Sequence, residues 1–429
     1  MLGRKEKRIL RAAVCFLAFC FALPPGLLFC TAPSAVGAAA VFSPSATADG
    51  AAAPGDGAAA REMRGLWIAS VGNIDFPSAQ NLSAKALAGE LDAIVDFAAA
   101  CGMNAILFQV RPAADALYAS AIFPPSVYVS GRAGAPPDEN FDCLSYLTAA
   151  AHRKQIEVHA WINPLRAGSG SPAHPFDRRT LAETSPAARH PAWTVEYADG
   201  RLYFDPGIPA VRALVAAGVR EICENYDVDG IVFDDYFYPY PVEGALFDDA
   251  DTYKTYGGDF ADLGDFRREN VRKLVRLCYD TVKAADPAIR FGVSPFGIWK
   301  NDTGRGVVTR GAEGYADIYC DALSFAEGGY VDYLAPQIYW TFDHSAAPFF
   351  VLADFWDRAL EGSGVDLYIG HGIYRYADGS FPRGELTAQV LAARELSACR
   401  GGLYYGYGAL RANAGGVLDE IRVLFSEDR

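Results

Sequence analysis

Two adjacent carboxylates, Asp234 and Asp235, end the run Val228-Asp229-Gly230-Ile231-Val232-Phe233, and Tyr236 follows them directly. Gly-Ile-Val-Phe must be buried, so the run reads as a strand that delivers two acids at its carboxyl end. Neighbouring strand residues point to opposite faces, and the two acids need not share one role. Glycosidic cleavage asks for such a pair, because one carboxyl protonates the leaving oxygen while another group stabilises or attacks an oxocarbenium-like centre. A carboxyl can be that acid near neutrality only if burial or a neighbouring charge lifts its pKa well above about 3.9. The partner carboxylate and the apolar wall supply both. The structural alternatives are a cap on the following turn or a buried ion pair with Arg111 or Arg166. Two Asp with His159 or His371 would also suit a divalent ion. However, no His-x-His or His-Glu-x-x-His spacing occurs, so no metal and no cofactor are expected.

Other apolar runs end in the same way. Gln109, Arg111 and Asp115 follow one, and Asn163 and Arg166 follow another that contains His159 and Trp161. Gln337, Tyr339, Trp340 and Asp343 follow a third, His371, Tyr374 and Arg375 a fourth, and Tyr404, Tyr405 and Tyr407 a fifth. Pyranose rings offer apolar C–H faces for stacking and hydroxyls for hydrogen bonds, so aromatic and polar groups converging on one rim suit a sugar. The substrate contacts expected on this basis are Trp67, Gln109, Arg111, Asp115, His159, Asn163, Arg166, Tyr236, Gln337, Tyr339, Trp340, His371 and Tyr405. Aromatic residues make up 13% of the chain. Core packing accounts for any one of them, but less readily for their recurrence at strand ends.

The elements that must position these groups alternate. Strand-like runs fall at 65–69, 105–110, 157–162, 230–233, 291–293, 333–335, 367–369 and 402–405. Helical patterns fill the intervals at 84–101, 144–153, 211–225, 265–284, 311–325, 349–361 and 387–399, with a last one at 417–425. Such alternation predicts a parallel sheet covered by helices, and eight units with no glycine-rich phosphate loop predict a closed (β/α)8 TIM barrel. Its site lies at the carboxyl ends of the strands. Residues 168–203 form a long insertion rich in Pro, Ser, His and Arg, placed as a binding loop on that face.

One barrel with long loops accounts for the 429 residues, with the catalytic domain over 61–429. Arg4, Lys5, Lys7, Arg8 and Arg11 precede an apolar run over 12–23, and small residues follow near 38–40. Residues 1–40 therefore read as a secretory signal peptide or an N-terminal anchor, placing the domain outside the cytoplasm and at a membrane only if the segment stays uncleaved. Residues 41–60 are Ala, Gly, Ser and Pro with few large apolar side chains, a flexible linker. The formal net charge of −14 repels polyanions, which argues against a nucleic-acid partner and for a polysaccharide. Cys101, Cys143, Cys223, Cys278, Cys320 and Cys399 stand singly, mostly in apolar helical stretches, and are expected as free core thiols.

Several long segments together carry a resemblance: Arg64-Gly65-Leu66-Trp67, NAILFQVRPAADALY over 104–118, EVHAWINP over 157–164, DGIVFDDYFY over 229–238, SPFGIW over 294–299 and PQIYW over 336–340. The chain resembles the glycosyl-hydrolase-like family 10. That resemblance implies a (β/α)8 fold, export, and action on bacterial cell-envelope glycan, one member being described as cleaving peptide-stripped peptidoglycan strands. The fourth segment is also similar in part to the Asp-Gly-x-Asp-x-Asp-x-Glu signature of family 18 chitinases, with Asp229 and Asp234 on two of its acids. Val232 stands for its middle Asp and Tyr236 for its catalytic Glu, which leaves Asp235 as the candidate acid and Asp234 as its electrostatic partner. Two alternatives stand beside hydrolysis of a cell-wall glycan: a non-catalytic glycan-binding barrel, and a glycosidase for poly-glucosamine exopolysaccharide.

Overall fold

In the computed structural model, which describes residues 61–426, eight parallel strands close into a barrel. They are β1 Met63–Ile68, β2 Ala105–Arg111, β3 Glu157–Ile162, β4 Gly230–Phe233, β5 Arg290–Val293, β6 Tyr333–Leu334, β7 Asp366–Gly372 and β8 Cys399–Tyr405. Neighbours in the chain are neighbours in the sheet, and β8 closes on β1 with Arg64 opposite Gly402 and Leu66 opposite Tyr404. The expected leader and linker, residues 1–60, lie outside the described residues.

The helices that cover the barrel are α1 Ala84–Ala100, α2 Cys143–His152, α3 Pro209–Asn225, α4 Leu263–Ala285, α5 Ala322–Glu327, α6 Phe349–Leu360, α7 Glu385–Arg394 and α8 Val417–Leu424. Their starts are locally encoded. Ser83 caps α1 by accepting the Ala86 N–H at 3.2 Å, and Asp262 caps α4 by accepting that of Asp265 at 3.0 Å. Leu87, Leu91, Ile94, Val95 and Ala98 then recur on one buried face of α1, the spacing a helix packed on a sheet requires. No disulfide joins the six described cysteines; Cys143 and Cys278 are buried on the inner faces of α2 and α4, whereas Cys223 and Cys399 are only partly buried.

Two expected helices are shorter than their patterns. Over 311–325 the chain forms only a turn at Gly314–Asp317 and then α5, because Tyr319 takes a left-handed φ of 57° that breaks the helix between them. The pattern over 387–399 stops at Arg394 in α7, and Cys399 opens β8.

Period-two alternation sorts the strand residues into two cores. Ile106, Phe108, Ile231, Phe233, Phe291 and Val293 face the helices. Trp67, Leu107, Trp161, Val232, Tyr333, Tyr368 and Leu403 fill the barrel itself. The lower interior is tight: a Cβ on Gly292 would lie 2.1 Å from the Tyr333 ring, and one on Gly230 2.5 Å from Nδ1 of His159.

The insertion after β3 carries a small antiparallel sheet in which Leu202–Phe204 lies between Arg166–Gly168 and Thr194–Glu196. It is pinned to the loop after β4, where the Val242 N–H donates to the Tyr197 hydroxyl at 2.9 Å and Phe247 packs against Tyr197 and Tyr203. This sheet holds Arg166 over the barrel mouth.

Candidate active site

On β4, Val232 points into the barrel and Phe233 out to the helices, so Asp234 points inward at the carboxyl end. Its Oδ2 accepts the Trp161 indole N–H at 2.9 Å and a bond from Nδ2 of Asn163, and its Oδ1 accepts the Tyr236 backbone N–H at 3.2 Å. Asp235 lies past the strand end and turns toward β5 and β6. Its Oδ2 accepts the Tyr240 hydroxyl and its Oδ1 accepts Nε2 of Gln337 at 3.0 Å. Gln337 also donates to the Ser294 carbonyl at 3.1 Å, which fixes its orientation.

Both carboxylates are buried, Asp234 at 3% and Asp235 at 2% exposure. Burial, and then the charge of Asp235, lifts Asp234 to about 7, against the opposing pull of Arg166 and the indole N–H. Burial also raises Asp235, while Tyr240 and Gln337 favour its ionised form. The charge of Asp235 works against ionisation of Asp234, so the adjacent acids disfavour being ionised together. Burial and the neighbouring charge favour the protonated form of Asp234, which makes it a candidate acid beside Asp235.

A buried relay orients the pair from below. Oε1 of Gln109 accepts the backbone N–H groups of Ser70 and Val71, each at 2.8 Å, which sends its Nε2 to Oδ1 of Asn163 at 2.6 Å. Asn163 is thereby left to present its N–H to Asp234. Trp67 meets Trp161 edge-on at 4.9 Å and supports the indole that donates to the same carboxylate.

The rim above is aromatic. The Arg166 guanidinium lies 4.6 Å over the Tyr236 ring, and Tyr236 packs edge-on against Tyr240 at 5.6 Å. Phe296 links Tyr240 to Trp340 at 5.9 and 5.7 Å. On the opposite side Tyr339 and Tyr405 stack at 6.3 Å, with Tyr374 edge-on to both. The half-buried Tyr236, Gln337, Tyr339, Trp340 and Tyr405 thus surround the pair. They form a floor of carboxylates under a ring of π faces, an arrangement that can grip a sugar and protonate its glycosidic oxygen.

Five expected contacts lie elsewhere. Gln109 spends its amide on protein partners beneath the pair. Arg111 pairs opposite the outward-facing Ile162, because the β2–β3 register shifts between Gln109 and Arg111; its guanidinium therefore stacks on Phe123 at 4.4 Å in the helix layer. Asp115 lies against Ser126 and the Val127 backbone, with burial holding it up to about 6. His159 sits deep in the barrel, bonded to the Tyr333 hydroxyl at 2.7 Å, four residues along β3 from the level of Asn163. His371 faces the helices, where it stacks on Tyr404 at 5.2 Å and bonds Gln389 of α7 at 3.0 Å; burial there lowers it to about 4.

Two groups in the site were not among those expected. Tyr240 reaches back to Asp235 from a loop, and its place between Pro239 and Pro241 is the only sequence signal for it. Asp75 follows β1 and accepts the N–H groups of Ala69 at 2.9 Å and Gly408 at 3.1 Å. Burial lifts it to about 6, and its charge acts on Tyr405. Among the described residues no group of three or more His, Cys, Asp and Glu side chains is placed to hold a metal ion.

The glycosyl hydrolase-like 10 family model matches residues 62–380. The chain is 38% identical over 369 residues to glycosyl hydrolase YngK of Bacillus subtilis, covering 84% of this chain and 71% of that protein. It is 36% identical over 331 residues to glycosyl hydrolase DigH of Escherichia coli, covering 74% of each. Among solved structures, the glycoside hydrolase domain of PgaB (BpsB) from Bordetella bronchiseptica superposes with a TM-score of 0.54 at 14% identity, covering 85% of this chain and 98% of that one. An α-L-fucosidase isoenzyme from Paenibacillus thiaminolyticus gives 0.52 at 13% identity over 85% of this chain, which spans 49% of the fucosidase's length. These two share the barrel fold. With the family matched over most of its length and a paired-carboxylate site at the mouth of its barrel, the chain belongs to the glycosyl hydrolase-like 10 family and is a glycoside hydrolase that acts on a polysaccharide.

Proposed function

We propose that this hydrolase works outside the cytoplasm on bacterial cell-envelope glycan, cutting peptidoglycan strands whose peptides have been removed. The observation that carries the reading is the Asp234–Asp235 pair, buried under an aromatic rim, where burial and the Asp235 charge favour a protonated Asp234. Asp234 gives its proton to the glycosidic oxygen as the bond to the anomeric carbon breaks. The ionised Asp235, held by Tyr240 and Gln337, stabilises the positive charge that develops there. Water completes the cleavage at that carbon and returns a proton to the pair. The basic and apolar leader over residues 4–23 supports export, and the family resemblance supports the substrate.

The test incubates the protein, and an Asp234→Asn/Asp235→Asn double variant, with amidase-treated peptidoglycan and examines soluble products by mass spectrometry. Fragments from the wild type alone are expected. Strands that stay intact with both proteins would rule out this glycan as the substrate.

A further inference from the structure

Arg166 is a cation whose charge acts on both members of the acidic pair, and its bonding is incomplete. The residue is 3% exposed, yet among the described residues its Nε and Nη2 have no hydrogen-bond partner. The guanidinium lies over the ring of Tyr236, the residue that follows the acidic pair, and its charge acts on Asp234 and Asp235 as well as on Tyr128 and Tyr203. A buried donor without a partner is costly, and two on one guanidinium rarely persist unless something binds them. The surroundings hold the group in place: the Tyr236 face lies beneath it, and backbone pairing of Arg166 with Tyr203 fixes its strand.

A guanidinium fork with two open N–H groups matches a carboxylate, which it binds bidentately. The site already has its catalytic carboxylates, and neither satisfies Nε or Nη2. A carboxylate that arrives with the substrate would satisfy both donors. We infer that Arg166 is a specificity-determining residue that receives a carboxylate carried by the sugar chain, next to the bond that is cut. In the glycan proposed above, the group of that chemistry is the lactyl carboxylate of a muramic acid unit. It is free once the peptide is removed and is an amide while the peptide remains. The inference rests on that substrate reading and adds a reason for it: an unmodified chitin chain offers Arg166 no anion, and a deacetylated glucosamine chain offers it a cation.

The test measures binding rather than cleavage, by calorimetry, with wild type, Arg166→Gln and Arg166→Lys. The probes are the disaccharide of N-acetylglucosamine and N-acetylmuramic acid with its lactyl carboxylate free, and the same disaccharide with that carboxylate capped as a methylamide. The wild type should bind the free acid about tenfold or more tightly than the methylamide, the range of a charge-assisted bidentate contact. In Arg166→Gln the ratio should fall to about one, and Arg166→Lys should restore part of it. A purely structural role, or tuning of the aspartates alone, weakens both ligands together and leaves the ratio unchanged. That result, equal wild-type affinity for the two probes, or binding of neither would overturn the inference. Cleavage of amidase-treated strands is scored separately: a ratio that collapses as expected while strands remain uncut sinks the hydrolysis proposal and leaves Arg166 standing, and the converse does the opposite.

Discussion

The Trp161 indole N–H donates to Oδ2 of Asp234 across 2.9 Å inside the barrel. It favours the ionised form of a carboxyl that burial and Asp235 push the other way. Trp161→Phe keeps most of the ring packing and deletes the donor. Asp234 should then hold its proton to higher pH, so the alkaline limb of kcat/KM moves upward. The cost in stability should be about 1 kcal/mol. A pH–rate profile that does not move would remove the indole from proton control.

Asp235 raises Asp234 through its charge. Asp235→Asn removes that charge and should bring the Asp234 pKa down from about 7. Carbon-13 NMR titration of labelled aspartate carboxyls reads this directly. An upward shift or none would mean that the two groups are not coupled as described.

Folding stability should depend on pH at the same residue. Asp234 has a folded pKa of about 7, raised above its ordinary value. The native state therefore binds more protons than the unfolded chain between roughly pH 4 and 7. Its favourable contribution is complete below the unfolded pKa and is lost as pH rises through about 7. Asp234→Asn should raise Tm relative to wild type at pH 8, by roughly 2–4 °C, with little difference at pH 4. Thermal unfolding at the two pH values checks the sign, and a gain confined to pH 4 would contradict it.

Gln109 acts through Asn163 and has no free amide group facing the sugar. Gln109→Ala should therefore lower kcat more than it changes KM, and should cost about 1–3 kcal/mol because Asn163 and two backbone N–H groups lose buried partners. A variant with raised KM and unchanged kcat would return Gln109 to the list of substrate contacts.

His371 lies in the helix layer. His371→Phe should preserve the stacking on Tyr404 and leave kcat/KM within about twofold, with a loss of about 1 kcal/mol from the bond to Gln389. Steady-state kinetics on the same glycan decides it, and a tenfold rise in KM would place the imidazole in the site after all.

Much of the fold is legible because its signals are local. β3 and β4 run over the residues expected, since a short apolar run bounded by polar residues needs no tertiary context to be recognised. The same holds for α1, whose cap and spacing lie within a few turns. The segment over 311–325 misleads because its apolar spacing resembles a helix while Tyr319 takes a left-handed turn that spacing does not report. Asp234, Asp235, Asn163, Gln337 and the Tyr339/Tyr405 stack follow from a rule of position, that strand ends at one face carry the chemistry.

What the amino-acid sequence determined by itself is the alternation of strand and helix, the acidic pair at the end of β4, and the aromatic supply around it, all carried by short-range patterns. The tertiary structure decided which way each side chain faces. A register shift between Gln109 and Arg111 turns Arg111 to the helices, regular alternation sends His371 outward and leaves His159 far below the mouth, and a proline-flanked loop returns Tyr240 to Asp235. Those outcomes depend on hydrogen-bond register between strands distant in the chain, and on the low-dielectric interior that closure of the barrel creates around two carboxylates. Neither exists until the strands have closed.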